Sequence, residues 1–115
     1  MEVSYIATDT SVIVAPVGRV DESTWEEFGG LLSRGIERAS SQSLETLIID
    51  LSKIEYMSSR GLRVLTLAKQ VGRASGVSIR LAAPNDLMLE ILAISRYDKL
   101  FPVDQALPVP DGSTM

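Results

Sequence analysis

The chain has no cysteine and no histidine in its 115 residues. The first absence removes any disulfide frame and any thiolate site. The second removes the commonest general base, the Ser-His-Asp triad and the usual zinc sites. Positive charge is also short. Lys and Arg number 11 against 15 Asp and Glu, a net charge of −4 with no basic stripe. Such a balance argues against direct nucleic-acid binding, which needs cations to neutralise phosphates. No apolar stretch approaches the roughly 20 residues that span a bilayer, so no membrane insertion is expected. The opening MEVSYIATDT lacks a basic segment followed by an apolar one, so no secretory signal is expected. There is no Gly-rich phosphate loop, no internal repeat and no low-complexity tract. The expectation is a soluble cytoplasmic protein without a cofactor.

What is present is enough for one ordinary core. The hydrophobic fraction is 45%, too high for a disordered chain, and the length favours one domain. Val3–Thr8 and Ser11–Val17 read as short strands around an Asp9-Thr10 turn. Pro16 is expected near an edge or strand end, because it cannot donate to a ladder. Gly18-Arg19-Val20-Asp21 follows, with Asp21 or Ser23 as the cap of a helix over Thr24–Ala39. In that helix Trp25, Phe28, Leu31, Leu32 and Ile36 make one apolar face. Gly29, Gly30 and Gly35 weaken it or mark close packing on a sheet.

Leu47–Val71, LIIDLSKIEYMSSRGLRVLTLAKQV, organises the rest. Thr46–Leu51 has no apolar-polar alternation at Leu47-Ile48-Ile49, which suits a strand covered on both faces. A short polar crossing leads to a helix over Ser59–Ser75, ended by Gly76. Val77–Ala83 alternates as a strand. Pro84-Asn85-Asp86 starts a short apolar helix, and Leu100–Val103 is a last strand. Pro108–Met115 has little to bury and is expected to fray as a tail after a domain over 1–107. Alternating strands and helices imply an α/β fold with a mixed, mostly parallel sheet of about five strands and helices packed on it.

On a wheel of the central helix, Val64, Leu65, Leu67, Ala68 and Val71 share the buried arc. Arg63, Thr66, Lys69, Gln70 and Arg73 fall opposite, with Ser59. Leu62 lies near that polar arc. An exposed leucine needs no special explanation. Beside a modifiable hydroxyl, it also reads as a partner contact. Capping is the ordinary work of any serine at a helix start. One serine suffices, and Ser58 is the better placed. Ser59 is then the first helical residue, where a phosphate meets free backbone N–H groups and adds about −1.5 to −2 of charge to a docking surface.

These residues carry a resemblance. With GRVD at Gly18–Asp21, the block LIIDLSKIEYMSSRGLRVL at Leu47–Leu65, and the pattern from Val77 to Phe101, the chain resembles a STAS domain. Within that family it resembles the bacterial anti-sigma factor antagonists. The likeness implies a single STAS-like domain, a cytoplasmic switch and not a catalyst. It implies that the unphosphorylated form binds an anti-sigma factor serine kinase and so releases a sigma factor. Phosphorylation then breaks the complex, and a PP2C-type phosphatase resets it. The acceptor carries over to Ser59, two residues before Gly61. Asp21 and Ser58 match positions beside the acceptor that support the site; with Arg60, Leu62 and Arg63 around them they are expected to form the partner-binding surface, and a homodimer is left open. Ser58 stands where some members have an acid, and Arg60 where the family residue is usually small. A cation there can pair with a phosphate or alter the choice of kinase.

Three other readings stand beside this one. STAS domains also serve as subunits of membrane transporter or lipid-trafficking complexes. A receiver-like domain would use Asp50 as a phosphoaspartate acceptor, but Asp9 is alone where such a domain needs an acidic pair for Mg²⁺. Lys99 likewise precedes the last strand instead of following a late one. A small enzyme would pair Asp50, Glu55 and Asp21 as carboxylates, which nothing in their spacing demands.

Overall fold

Residues 1–108 are described in the structure, a computed structural model. Its first hairpin forms where turn chemistry places it. Strand β1 (Glu2–Ala7) runs antiparallel to β2 (Ser11–Val20), with Tyr5 opposite Val14. The Thr8 hydroxyl accepts the Ser11 N–H at 3.0 Å and closes the turn. Helix α1 (Trp25–Ser41) is followed by β3 (Thr46–Asp50), β4 (Ile54–Met57), α2 (Ser59–Ala74), β5 (Ser78–Ala82) and α3 (Asp86–Ile94). A 3-10 turn at Tyr97–Lys99 and the short β6 (Val103–Asp104) complete the described chain. The sheet order is β1-β2-β3-β5-β6, with β4 also on β2, and every pairing except β1 with β2 is parallel.

The α/β class and the mixed, mostly parallel sheet of about five strands agree with the sequence reading; the sheet has six. The additional one is β4, expected to be a polar crossing. Its pairing explains Pro16 as well. β2 pairs with β3 over Ser11–Val14 and with β4 over Gly18–Val20. Pro16 is therefore buried inside a ten-residue strand, not at its end. It falls in the gap between two partners, where a missing N–H costs no ladder bond.

All three helices pack on one face. Val12, Val14, Leu47, Ile49, Ile79 and Leu81 of the sheet join Phe28, Leu32, Val64, Leu65, Met88 and Leu92 in one cluster. Each such side chain contributes roughly 1.5–3 kcal/mol by leaving water. The alternate residues Ile13, Ile48 and Ala82 form a separate cluster on the other face. α1 runs unbroken through its glycines to Ser41. At Gly35 a Cβ would lie 2.8 Å from Leu47 Cδ1, so the glycine serves close packing on the sheet. The α1 cap is Thr24, not Asp21 or Ser23.

The α2 wheel requires a correction. Val64, Leu65 and Ala68 are buried, but Leu67 and Val71 are 50% and 51% exposed. Leu62, placed near the polar arc, is half-buried and packs against the core. The buried arc is centred on Gly61, Ala68 and Gly72, small residues that carry little weight on a hydrophobicity wheel. The last strand is Val103–Asp104, held to β5 by two Arg80–Asp104 hydrogen bonds of 3.0 and 2.9 Å. Apart from Pro108, the tail expected at 108–115 lies outside the described residues.

Candidate functional site

The carboxyl ends of β2 and β4 lie side by side, and α2 begins there. Gly18 has φ +124°, and the β2–β4 register shifts between it and Arg19. That backbone region is one that L side chains rarely adopt. The shift brings Val20 opposite Met57. The Ser58 N–H donates to the Val20 carbonyl at 2.8 Å, which fixes the helix start against the strand end. Ser58 is extended, and its hydroxyl accepts the Gly61 N–H at 3.3 Å. It is the N-cap, as its position in the sequence indicated. Gly61 permits the close approach: a Cβ there would overlap Met57 and come within 2.7 Å of Val20 Cγ1.

Ser59 is thereby the first residue of α2, and it is exposed. It is flanked by a capping serine and Arg60, and the chain has no histidine to activate its hydroxyl. Its hydroxyl stands in solvent beside the first turn of the helix, where backbone N–H groups lack intrahelical partners.

The turn between β2 and α1 faces this helix start. The Asp21 carboxylate accepts the Ser23 N–H at 3.0 Å and the Ser23 hydroxyl at 2.9 Å. These two bonds hold its pKa below the usual carboxylate value, with smaller help from Thr24 and Arg19. The Asp21 carbonyl accepts the Trp25 N–H at 3.0 Å, and Thr24 Oγ1 donates to the Arg19 carbonyl at 2.7 Å. Asp21 thus shapes the turn that carries Glu22 and Trp25. Arg60 bridges back to it. Its Nε lies 3.1 Å from Glu22 Oε2, and its guanidinium sits 5.1 Å from the Trp25 ring centroid. Arg19 similarly covers the Tyr56 ring at 4.7 Å.

Beside Ser59 a cleft of about 380 Å³ is lined by Trp25, Arg60, Arg63, Val64 and Leu67. A second hollow of about 320 Å³ continues from it between α1 and α2, past Ile36, Ala68 and Val71. Asp21, Ser58, Ser59, Arg60 and Arg63 therefore gather at one end of the molecule, while Leu62 is turned partly into the core. The sequence reading missed Glu22, Trp25 and Leu67 as members of this surface. Trp25 is half-buried against the core, as its place on the α1 apolar face predicts, and it lines this cleft as well. Its place as the first helical residue, where the apolar stripe has neighbours on one side only, was the available signal.

Asp50, the rival acceptor, lies elsewhere. It is buried, its Oδ1 accepts the Ser52 N–H at 2.9 Å, and it lines a groove on the opposite sheet face with Ile13, Val17 and Lys53. Asp50, Glu55 and Asp21 do not assemble. Among the described residues no group of three His, Cys, Asp or Glu is placed to hold a metal ion. Among the same residues no helix is long and apolar enough to cross a membrane.

Solved structures share this fold. The Thermotoga maritima protein TM1081, assigned as an anti-sigma factor antagonist, is 18% identical, with TM-score 0.76 over 91% of this chain and 87% of that one. An anti-sigma factor antagonist from Mycobacterium paratuberculosis is 22% identical, with TM-score 0.73 over 92% and 86%. The anti-sigma factor antagonist SpoIIAA is 16% identical in its unphosphorylated form, with TM-score 0.67 over 89% and 87%. The Bacillus SpoIIAA in its phosphorylated form gives 0.60 over 89% and 90%, also at 16% identity. The family model described as Mlab, STAS domain, matches residues 3–103, nearly the whole described chain. On that match, and with this topology, the chain belongs to the STAS domain family.

Proposed function

We propose that the chain is an anti-sigma factor antagonist, a protein-binding module switched by phosphorylation at Ser59. The observation that carries this reading is the division of labour at the α2 start: Ser58 caps the helix, and Ser59 is exposed with no capping duty. The unphosphorylated face, built from Asp21, Ser58, Arg60, Leu62 and Arg63, docks an anti-sigma factor serine kinase and so frees a sigma factor. The kinase transfers the γ-phosphoryl group of its ATP to Ser59 Oγ. The Oγ–P bond forms as the bond to ADP breaks, and a base of the kinase takes the hydroxyl proton. The added charge of about −1.5 to −2 then sits in the interface and opposes docking. A PP2C-type phosphatase removes it. The protein itself acts as substrate and ligand, in the cytoplasm, without a cofactor.

A second reading, a subunit of a membrane transporter or lipid-trafficking complex, is favoured by the exposed Leu67 and Val71 beside the site. That strip suits a standing contact more than a reversible one. Capture of partners from the native cell, then incubation with the captured kinase and ATP and peptide mass spectrometry, separates the two. Phosphate on Ser59 is expected. Phosphate on Ser58 or Asp50, or a transporter subunit captured and no kinase, rejects the proposal.

A further inference from the structure

Ser59 and Arg63 lie four residues apart in one continuous helix. That spacing sets their side chains on one face, with Cβ atoms about 5–6 Å apart. Arg63 is exposed, and among the described residues it forms no salt bridge and stacks on no ring. Arg60 is closer in sequence, but as the next residue it lies about 100° round the helix from Ser59, against about 40° for Arg63. Its guanidinium is also engaged by Glu22 and Trp25. Other charged groups near this end include Arg19 on β2, Asp21 and Glu22 on the turn, Glu26 on α1 and Glu55 on β4. The turn thus presents two carboxylates and α2 presents a free guanidinium. A dianion attached to Ser59 is repelled by the first and drawn to the second.

Resting on the phosphoserine reading above, we propose that Arg63 is the residue that receives a phosphate on Ser59. In the unmodified protein Arg63 lines the cleft with Trp25 and Leu67. On modification its guanidinium turns to the phosphate and leaves that cleft. One phosphoryl group then changes the docking face twice, by adding negative charge and by withdrawing the unpaired cation. Arg60 stays with Glu22 and keeps the Trp25 side of the cleft in place.

Phosphoserine incorporated at position 59 during translation of the full chain makes the test independent of any kinase. Phosphorus NMR follows its second ionisation, which ordinarily falls near pH 6. In the Arg63→Gln variant the pKa is expected to rise by about 0.2–0.4 unit. Arg63→Lys is expected to keep most of the wild-type value. Arg73→Gln, near the far end of the same helix, controls for net charge and is expected to change nothing. The assignment is overturned by an unchanged titration in Arg63→Gln. It is equally overturned by a larger rise in Arg60→Gln, or by an equal rise in Arg73→Gln. Because partner affinity is not the readout, such a failure leaves the switch itself untouched, and a failure of the switch leaves this contact measurable.

Discussion

Ser58 and Ser59 are neighbours with the same side chain, yet the helix start gives them different work. Ser58 spends its oxygen on the Gly61 N–H; Ser59 spends none on capping. Ser59→Ala is therefore expected to leave the fold and partner binding intact while abolishing phosphate incorporation. Ser59→Asp is expected to weaken binding at least tenfold, about 1.4 kcal/mol, in a calorimetric titration against the captured kinase. Ser58→Ala is expected to cost about 1 kcal/mol of stability, since it removes a helix cap. Equal melting curves for the Ser58 and Ser59 alanine variants would show that the division of labour is wrong. Gly61 is the other constrained residue. A methyl group there meets Met57 and Val20, so Gly61→Ala is expected to lose about 1–3 kcal/mol in urea denaturation.

The helix α2 shows how far residue pattern reaches and where it stops. Its span, its cap and its exposed serine were legible, because each follows from local sequence: Ser-Ser before an apolar period, Gly76 after it. Its rotation on the sheet was not, because Gly61, Ala68 and Gly72 form the contact by being small. The strand β4 escaped for a related reason. Ile54-Glu55-Tyr56-Met57 is short and carries a charge, and it exists as a strand because the far half of β2 lies free beside it. That pairing joins segments more than thirty residues apart, which no local pattern encodes. The corrected rotation changes the mutation of choice. Leu62→Asp is now expected to lower both stability and binding, since Leu62 packs against the core. Leu67→Asp, on an exposed residue of the cleft, is expected to weaken partner binding while shifting the melting temperature by no more than about 2 °C. A large thermal loss in Leu67→Asp would return that residue to the core.

Across the described residues, one sheet face carries three helices, with the Ser59 end of α2 at the carboxyl ends of β2 and β4, and β6 pairs with β5 beside Arg80 and Asp104. The Arg80 hydrogen bonds hold the Asp104 pKa below the usual carboxylate value. A carboxylate lowered in the folded state stabilises fully above its unfolded value, about 3.9. That contribution is lost as pH falls through the lower folded value. The melting temperature of Asp104→Asn is thus expected to trail the wild type at pH 6 and to converge with it toward pH 2; a gap constant with pH would remove the ion pair from the account. The placement of six strands gathers Asp21, from the end of β2, with the α2 start, and that juxtaposition is what the phosphate would exploit. The most direct measurement is the affinity of the captured anti-sigma kinase for the unmodified protein and for the protein carrying phosphoserine at position 59, made by calorimetry at one salt concentration. The expected result is tight binding of the unmodified form and at least a tenfold loss with phosphoserine. Equal affinity for the two forms would contradict the switch.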